Sequence, residues 1–477
     1  MNKILIYNKN NLYIVLIVLI SFLLKFYYFL NLDSWFDEWN MIYTVDPSIS
    51  NKLTWERFYG DRGDGFLPEY YPPLNAFLLK FFLKFTNYYT DYARVYSLIF
   101  GLSSSLLVFI LANKISGKKC AYISTIIFGL NLFIIWQSNE IRPHSFVLFF
   151  SLLNLIFFIK IIEKKNNFFL SVSYFLSSVL LLSSWPFALT IYFAKTIYIF
   201  INFKLKNIEY KKIFLLFFLI LISYILINLD YLIYHLNRTE HYTNLEVSFF
   251  YSFHFRSFFG SIPMGGLMIL LFGILFLKDL KRNFYSKENI NILLYVIFST
   301  YFLVIAYSIL RAGVISPKYV IFILPLIIIW ISHKITSTKF EKALIILIIL
   351  SNIINTYFYF FENPIDRPPI KKVINHIAND SVSILVMNDS KVFVNAFSSY
   401  KSFNDKKIKI VNLNLRESNI DIDSFWFVCL NNARFAIGDK ILPTEEKCKI
   451  IDNYNDFKTI ETFEIEDFYI KKYSKIN

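Results

Sequence analysis

The first apolar segment of the chain ends in the stretch Ser34-Trp35-Phe36-Asp37-Glu38-Trp39-Asn40, where two adjacent carboxylates stand among large aromatic side chains. The preceding residues, from about 11 to 32, are apolar except for Lys25 and are long enough to cross a bilayer as a helix. Asp37 and Glu38 are therefore predicted to lie where the chain leaves the lipid. Partial desolvation there raises the basicity of a carboxylate, and both water-borne and lipid-borne reactants can reach it. The alternative interpretation is two solvated loop acids.

The composition is typical of a polytopic membrane protein. Hydrophobic residues make up 56% of the 477 positions and charged residues only 18%, with 54 Phe and 33 Tyr. This is too apolar for a soluble chain of that length. No small-residue cleavage site follows the first apolar segment, so we interpret it as an anchor and not as a cleaved signal peptide.

Apolar runs predict about eleven transmembrane helices. Their approximate ranges are 11–32, 92–113, 120–136, 143–162, 168–184, 186–203, 212–233, 258–277, 289–310, 318–333 and 343–361. Alternate connections are rich in lysine, whereas the short opposite loops after the second helix hold few basic residues: Arg142, Arg238, Arg256, Arg311 and Lys318. By the positive-inside rule the N-terminus is cytoplasmic, and the first large loop and the C-terminal part are external. We read the net charge of +14 as an orientation signal and do not expect nucleic-acid binding.

Two domains are expected. Residues 1–361 form the transmembrane domain, in which an acidic, tryptophan-containing external loop at 32–91 is predicted to form short helices on the membrane surface. The chain becomes polar after Phe361, and residues 362–477 are predicted to form a small external α/β domain. Its strands are expected at 383–387, 407–412, 425–430 and 463–471, and its helices at 370–378 and 391–400.

Further stretches follow the acidic pair in a particular order. They are Tyr71-Pro72-Pro73-Leu74, Asp91-Tyr92-Ala93-Arg94-Val95-Tyr96-Ser97, Trp136-Gln137-Ser138-Asn139-Glu140-Ile141-Arg142-Pro143-His144-Ser145 and, much later, Ser316-Pro317-Lys318-Tyr319. This order resembles the membrane region of glycosyltransferases of the GT-C fold, specifically the superfamily of protein O-mannosyltransferases and aminoarabinose transferases. The motif resemblance covers residues 30–165, and the remainder agrees in layout.

The resemblance implies an enzyme that transfers a sugar from a polyprenyl phosphate to an acceptor at the outer face of a bacterial cytoplasmic membrane. The acceptor is a protein, a lipid or a glycan. Asp37 matches the family's catalytic aspartate, the general base that takes the acceptor proton. Glu38 matches a second acid with an orienting, structural or metal-linked role, so a divalent metal is possible although no cofactor is certain.

The phosphate leaving group requires cations, and the predicted outer face offers few of them. The candidate substrate-binding residues are Tyr71, Arg142, His144, Arg256, Arg311, Lys318 and Tyr319. For Arg142 the alternative is an ion pair with Glu140 that anchors the interface. For Arg256 the alternative is a snorkelling interface residue.

One departure limits what the resemblance implies. In the aminoarabinose branch a lysine precedes the proline and contacts phosphate, whereas Pro72 stands there in this chain. The substrate of that branch is therefore not carried over. The sequence also lacks a G-x-G-x-x-G or P-loop motif, and its six histidines lack metal-ligand spacing.

A transporter or flippase of a lipid-linked glycan is the alternative function, because such a protein is also apolar and polytopic. A transporter is expected to carry ionisable residues or broken helices near the middle of the membrane, and often repeated halves. Most of the predicted membrane segments lack charge, no repeat is visible, and the unusual acids gather in one external loop. These features favour the enzyme.

Two of the three cysteines, Cys429 and Cys448, fall in the predicted external domain, while Cys120 lies at a cytoplasmic helix end. Because external compartments are oxidising, the first two are expected to form a disulfide, with chance placement as the alternative.

The predicted topology is tested with reporter fusions. A reporter fused at Lys164 should be cytoplasmic and one fused at Lys401 external, because an odd number of crossings separates the N-terminus from the C-terminal domain. Finding both fusion points on the same side would refute this topology.

Overall fold

The computed structural model describes residues 2–59, 69, 71–163, 167–206, 210–236, 246–283, 290–311, 313–362, 367–382, 384–388, 390–413, 422–430, 448, 456–465 and 468–476. Lys164 and Arg238 lie outside the described residues. The chain divides into two compact units, each built from separate stretches of sequence. The first is Met1–Leu30, Tyr70–Asn75 and Ser97–Pro364, and the second is Asn31–Glu69, Ala76–Tyr96 and Ile365–Asn477. The predicted boundary between a transmembrane domain at 1–361 and an external domain at 362–477 stays a prediction.

The first unit is helical. Its helices are α1 (Asn2–Asn31), most of α5 (Thr90–Ser116), α6 (Lys118–Leu130), α7 (Leu132–Gln137), α8 (His144–Ile162), α9 (Phe168–Leu182), α10 (Leu189–Lys206), α11 (Tyr210–Ile227), α12 (Leu229–Leu236), α13 (Val247–Phe249), α14 (Phe255–Phe259), α15 (Ile262–Asn283), α16 (Asn291–Leu310), α17 (Leu324–Ile335) and α18 (Glu341–Tyr357). Short 3-10 turns cover Pro186–Ala188 and Pro317–Ile323, and π-helical turns cover Phe250–His254 and Phe358–Glu362.

Among the described residues, seven helices are long and apolar enough to cross a membrane, or eight if one sharply bent pair counts as a single span. Two shorter apolar helices, Phe168–Leu182 and Pro186–Asn202, coincide with further predicted spans. The chain is thus a multi-pass helical membrane protein, as predicted. The predicted number of eleven spans is not confirmed.

The bent pair consists of Val247–Phe259 and Ile262–Lys278, which meet at 94°. The turn depends on Gly260, whose φ of +87° lies in the left-handed region that a side chain disfavours. Carbonyl groups at such a turn lose their helical partners and need replacements. Asn131 Nδ2 donates to the Phe258 carbonyl at 2.8 Å, and Asn355 Nδ2 donates to the Phe259 carbonyl at 3.0 Å.

The second unit contains helices α2 (Phe36–Thr44), α3 (Asn51–Tyr59), α4 (Leu74–Thr86), α19 (Ile370–Ala378), α20 (Lys391–Ser398) and α21 (Lys401–Asp405). Its strands are β1 (Ile384–Met387), β2 (Lys409–Asn412), β3 (Ser424–Leu430), β4 (Phe457–Ile465) and β5 (Phe468–Lys475). The strand order is β2-β1-β3-β5-β4; the first three strands are parallel, while β5 is antiparallel to both β3 and β4. The small α/β sheet domain predicted after the membrane helices is therefore present.

The single strand predicted at 463–471 is wrong, because this region contains the end of β4 and the start of β5. The sequence gives the physical reason. Apolar residues at 463 and 465 and at 468 and 470 would point to opposite faces of one continuous strand. In a hairpin both pairs reach the same core, where Phe468 and Ile470 are buried and Phe463 and Ile465 pack against it.

The predicted disulfide is confirmed, because Cys429 of β3 is bonded to Cys448, while Cys120 is a free, buried cysteine. Denatured protein treated with a bulky maleimide should therefore gain one label without reductant and three labels after reduction. Three labels without reductant would contradict the disulfide. The Cys120→Ser variant, which should gain no label without reductant, is the control.

Candidate active site

The acidic pair lies in the first turn of α2. Trp35, in an extended conformation, precedes the helix, and Asp37 and Glu38 are its second and third residues. Carboxylates are favourable at this end because the unpaired N–H groups of the first turn carry partial positive charge. Glu38 also accepts a hydrogen bond at Oε2 from the Trp35 backbone N–H, at 3.3 Å.

The Glu38 carboxylate is fully buried between two arginines of the second unit. Arg94 donates from Nε to Oε1 at 3.2 Å and from Nη2 to Oε2 at 3.1 Å. Arg367 donates from Nη1 to Oε2 at 2.5 Å. The side chains of Glu38 and Arg94 are 0% exposed and that of Arg367 is 3% exposed. Glu38 therefore has the environment of an ion-paired structural group.

The same cations hold the backbone that leads into α2. Arg94 donates to the carbonyls of Leu32 and Asp33 at 2.5 and 2.8 Å, and Arg367 donates to the Asp33 carbonyl at 2.9 Å. Lys371 Nζ adds a bond to the Leu32 carbonyl at 3.2 Å. Three residues from two distant parts of the sequence thus fix the two carbonyls that precede the acidic turn.

Asp33 is a third carboxylate in this region, which the sequence analysis did not select. Its Oδ1 accepts from the Lys371 backbone N–H at 3.1 Å and from the Tyr400 hydroxyl at 3.4 Å. Burial raises the pKa of the Asp33 carboxyl, although Lys371, Arg94 and Tyr400 act in the opposite direction. Burial likewise lowers the pKa of the Lys371 ammonium.

Asp37 differs from both of these carboxylates in exposure. Its side chain is half-buried, whereas that of the adjacent Glu38 is fully buried. Successive helical residues are rotated by about 100° around the axis, so neighbours in sequence meet different surroundings. Of the two predicted catalytic acids, Asp37 is the less buried residue.

A second group of predicted site residues comes together in the first unit around Trp185. The Tyr71 ring lies 5.3 Å and the His144 ring 5.4 Å from the Trp185 ring, measured between centroids. The Trp185 indole N–H donates to the Tyr319 carbonyl at 2.8 Å. Trp185 is 1% exposed and had not been selected from the sequence, since a lone tryptophan in an apolar run gives no signal.

Two of the predicted cations, Arg142 and Lys318, lie close to aromatic rings of the same group of residues. The Arg142 guanidinium lies 5.4 Å from the centre of the Tyr71 ring, and Lys318 Nζ lies 5.8 Å from that of Tyr319. Glu140, expected as an alternative partner of Arg142, lies 3.6 Å from His144 Nδ1, and both of those side chains are buried. The Trp185 cluster, defined here as Tyr71, Arg142, His144, Trp185, Lys318 and Tyr319, thus unites five of the seven predicted substrate-binding residues.

Next to this cluster is an apolar cavity of about 360 Å³ within the first unit. Tyr319 and Phe187, whose rings stack at 5.3 Å, contribute to its wall, as do His235 and Tyr307. Arg311 donates from Nη2 to the His235 carbonyl at 3.1 Å, so it is bonded to the cavity wall. Arg256 is exposed on α14, and the described residues show no contact of its side chain with the cluster.

Metal ligation was left open for Asp37 and Glu38. Among the described residues, no group of three or more His, Cys, Asp or Glu side chains is arranged to hold a metal ion. The oxygens of Glu38 already accept bonds from two arginines, and a cation would have to displace them. The donor set does not fit a metal site centred on Glu38.

The architecture is a multi-pass helical membrane fold with a small sheet domain, and it is shared with solved glycosyltransferases. ArnT from Cupriavidus metallidurans aligns in its apo state over 96% of this chain and 97% of its own, at 9% identity and a TM-score of 0.59. The same protein bound to undecaprenyl phosphate aligns over the same shares at 8% identity and a TM-score of 0.57. The Archaeoglobus fulgidus oligosaccharyltransferase tethered to an acceptor peptide aligns over 82% of this chain and 63% of its own, at 10% identity and a TM-score of 0.50.

These similarities establish the fold. The expected GT-C fold is confirmed, because the structure of ArnT matches nearly the whole chain. No protein-family profile matches the sequence, and no curated protein sequence matches it.

The buried ion pairs of Glu38 predict a large stability difference between two similar substitutions. Glu38→Gln leaves two guanidinium groups without a compensating charge in a buried site, which should cost on the order of 3–5 kcal/mol. Glu56→Gln is the matched control, because the Lys52–Glu56 pair spans 3.8 Å and its side chains are 87% and 54% exposed. The measurement is the midpoint of thermal unfolding in detergent. Equal midpoints for the two variants would contradict the structural role of Glu38.

Proposed function

We propose that the protein is an integral membrane glycosyltransferase, which moves a hexosyl or pentosyl group from a polyprenyl-phosphate-linked donor to an acceptor at the outer face of the membrane. The observation that carries the proposal is the acidic turn at Asp37 and Glu38, held by two buried arginines within a fold that ArnT shares. Such fixation of a reactive carboxylate is what a general base requires.

In the proposed reaction Asp37 removes the proton from the acceptor hydroxyl as the hydroxyl oxygen attacks the anomeric carbon of the donor sugar. A new bond forms between this carbon and the acceptor oxygen, and the bond between the carbon and the phosphate oxygen breaks. The electron pair leaves with polyprenyl phosphate, while Asp37 keeps the acceptor proton until solvent takes it. Glu38 orients the turn that carries Asp37.

We propose Arg142 and Lys318 as the groups that hold the donor phosphate, assisted by His144, Tyr71 and Tyr319 of the Trp185 cluster. This proposal is supported by the Trp185 cluster, in which five predicted residues meet although they come from three separate parts of the chain. Fixed cations stabilise the charge that develops on the leaving phosphate. Arg311 and Arg256 remain predicted substrate contacts.

The apolar cavity next to Tyr319 is the proposed site for the first part of the prenyl chain. Its wall combines aromatic and aliphatic side chains, and its volume of about 360 Å³ lies within the range of ligand sites. ArnT from Cupriavidus metallidurans was solved with undecaprenyl phosphate bound, and the oligosaccharyltransferase of Archaeoglobus fulgidus was solved with a tethered acceptor peptide. We propose a bacterial cytoplasmic membrane, with residues 362–477 external and a protein, lipid or glycan as acceptor.

The proposal is tested with purified protein in lipid nanodiscs and a panel of polyprenyl-phosphate sugars. The protein should release polyprenyl phosphate from at least one donor when an acceptor is present. Transport of a lipid-linked glycan without cleavage of the sugar–phosphate bond would instead support the flippase alternative.

The Asp37→Asn substitution should lower turnover by at least about 100-fold, because an amide cannot take the acceptor proton. Donor affinity should stay within about twofold of that of the wild type, since the carboxylate acts on the acceptor. The matched control is Asp46→Asn, because among the described residues the Asp46 carboxylate accepts only local bonds, from the backbone N–H and the hydroxyl of Ser48. A folded Asp37→Asn protein with the wild-type transfer rate would remove Asp37 from the mechanism.

The Arg142→Ala substitution should weaken donor binding by about tenfold or more and lower turnover as well, because the phosphate is charged before and after transfer. Arg142→Lys keeps the charge but lacks the planar fork of donors, so its donor affinity and turnover should lie between those of Arg142→Ala and the wild type. Binding is measured with a fluorescent polyprenyl-phosphate sugar. Unchanged donor affinity in Arg142→Ala would place this arginine outside the donor site.

A further inference from the structure

We propose that Arg367, which follows the last membrane helix, is a positioning residue for Asp37 and acts through Glu38 on the first turn of α2. The inference rests on the proposed function and extends it to the C-terminal segment. Because Arg367 is 329 positions from Glu38 in sequence, no local pattern links this segment to the acidic pair.

One guanidinium group contacts three of the residues that form the acidic turn. Arg367 Nη1 donates to Glu38 Oε2 at 2.5 Å and to the Asp33 carbonyl at 2.9 Å. The guanidinium carbon also lies 5.6 Å from the centre of the Trp35 ring. Trp35 is the residue that precedes α2. The contacts of Arg367 therefore hold residues before Asp37 and the residue directly after it.

A second, independent set of contacts ties the turn to the C-terminal segment. Tyr400 lies within hydrogen-bonding distance of Ser34 at two points: the Ser34 backbone N–H donates to the Tyr400 hydroxyl at 2.9 Å, and the two hydroxyl oxygens are 2.7 Å apart. The Trp39 indole N–H donates to Ser34 Oγ at 2.9 Å. Asp33, Ser34 and Glu38 are therefore each hydrogen-bonded to residues of the C-terminal segment.

Packing places α2 in the core of the second unit. Phe36 and Trp39 belong to the same buried cluster as Ile370, Val373 and Phe393, and the Trp39 and Phe393 rings are 5.1 Å apart. These apolar contacts hold one face of the helix, while Arg367 holds the charged group of its first turn. Asp37, between Phe36 and Glu38, thus has little rotational freedom of its own backbone.

A purely structural role of Arg367 predicts a change in stability alone, whereas a positioning role also predicts a change in the rate of sugar transfer. If Arg367 only neutralised Glu38, its loss would lower stability, and the protein that remained folded would have normal kinetics. If Arg367 positions Asp37, the folded protein should transfer sugar slowly at saturating donor. Since Nη1 alone makes the bonds to Glu38 and to the Asp33 carbonyl, a lysine ammonium should replace part of the interaction.

The test compares full-length Arg367→Met, Arg367→Lys and the control Lys372→Met in nanodiscs. Lys372 is a matched control because it lies in the same segment, five residues away, and its side chain is exposed. We expect Arg367→Met to lower kcat at least tenfold with donor KM within about twofold of the wild-type value, Arg367→Lys to recover part of kcat, and Lys372→Met to change neither. Tenfold in kcat corresponds to about 1.4 kcal/mol in the barrier.

If Arg367→Met does not fold, Arg367→Gln takes its place, because the glutamine amide can still donate a hydrogen bond to Glu38 and Arg94 still compensates the carboxylate charge. A folded Arg367→Gln variant with low kcat supports positioning, and one with wild-type kcat overturns the inference. Wild-type kcat in folded Arg367→Met also overturns the inference and leaves the proposed function intact. If the wild type transfers no sugar from any donor, the proposed function is wrong, and the inference is wrong with it.

Discussion

The second unit depends on the charge compensation of one buried carboxylate. Transfer of a carboxylate from water to a buried site costs several kcal/mol unless charged hydrogen-bond donors surround it. Glu38 meets this requirement with three N–H bonds from Arg94 and Arg367, which are 56 and 329 positions away in sequence. Any arrangement that separated these three stretches of chain would leave an unpaired charge in a dry site. The loop before α2, the start of α5 and the C-terminal segment must therefore fold together.

This constraint also places the two adjacent acids in different surroundings. Glu38 is locked by two guanidinium groups, so its oxygens are occupied in the folded protein. Asp37 lies on the same rigid turn but is only half-buried. A general base needs a fixed position and access to its proton donor at the same time. In the proposed mechanism Glu38 supplies the fixed position and Asp37 takes the proton.

The sequence predicted the membrane helices and most of the C-terminal elements, because hydropathy and alternation are local signals. It also selected most members of the Trp185 cluster, since a motif order could be compared with a known family. The contacts of Arg367 and of Trp185 could not be predicted, because both join residues that are far apart in sequence and have no shared local pattern. The hairpin of β4 and β5 differs from the predicted single strand for another reason: the alternation of apolar residues changes phase between residues 465 and 468, and this phase change marks the end of one strand and the start of the next.

The buried lysines of the first unit bear on the choice between enzyme and transporter. Ionisable residues inside apolar helices are a mark of transport pathways. Lys25 donates to the Gly101 carbonyl at 2.9 Å and to Ser105 Oγ at 3.3 Å, and Lys195 is bonded to Asn154 and lies about 5 Å from three aromatic rings. Each lysine thus binds neutral oxygen atoms of neighbouring helices, and in the described part of the chain neither pairs with a carboxylate with which it could exchange a proton. Such lysines tie helices together, which is consistent with an enzyme whose chemistry lies in the acidic turn and not along a path through the membrane.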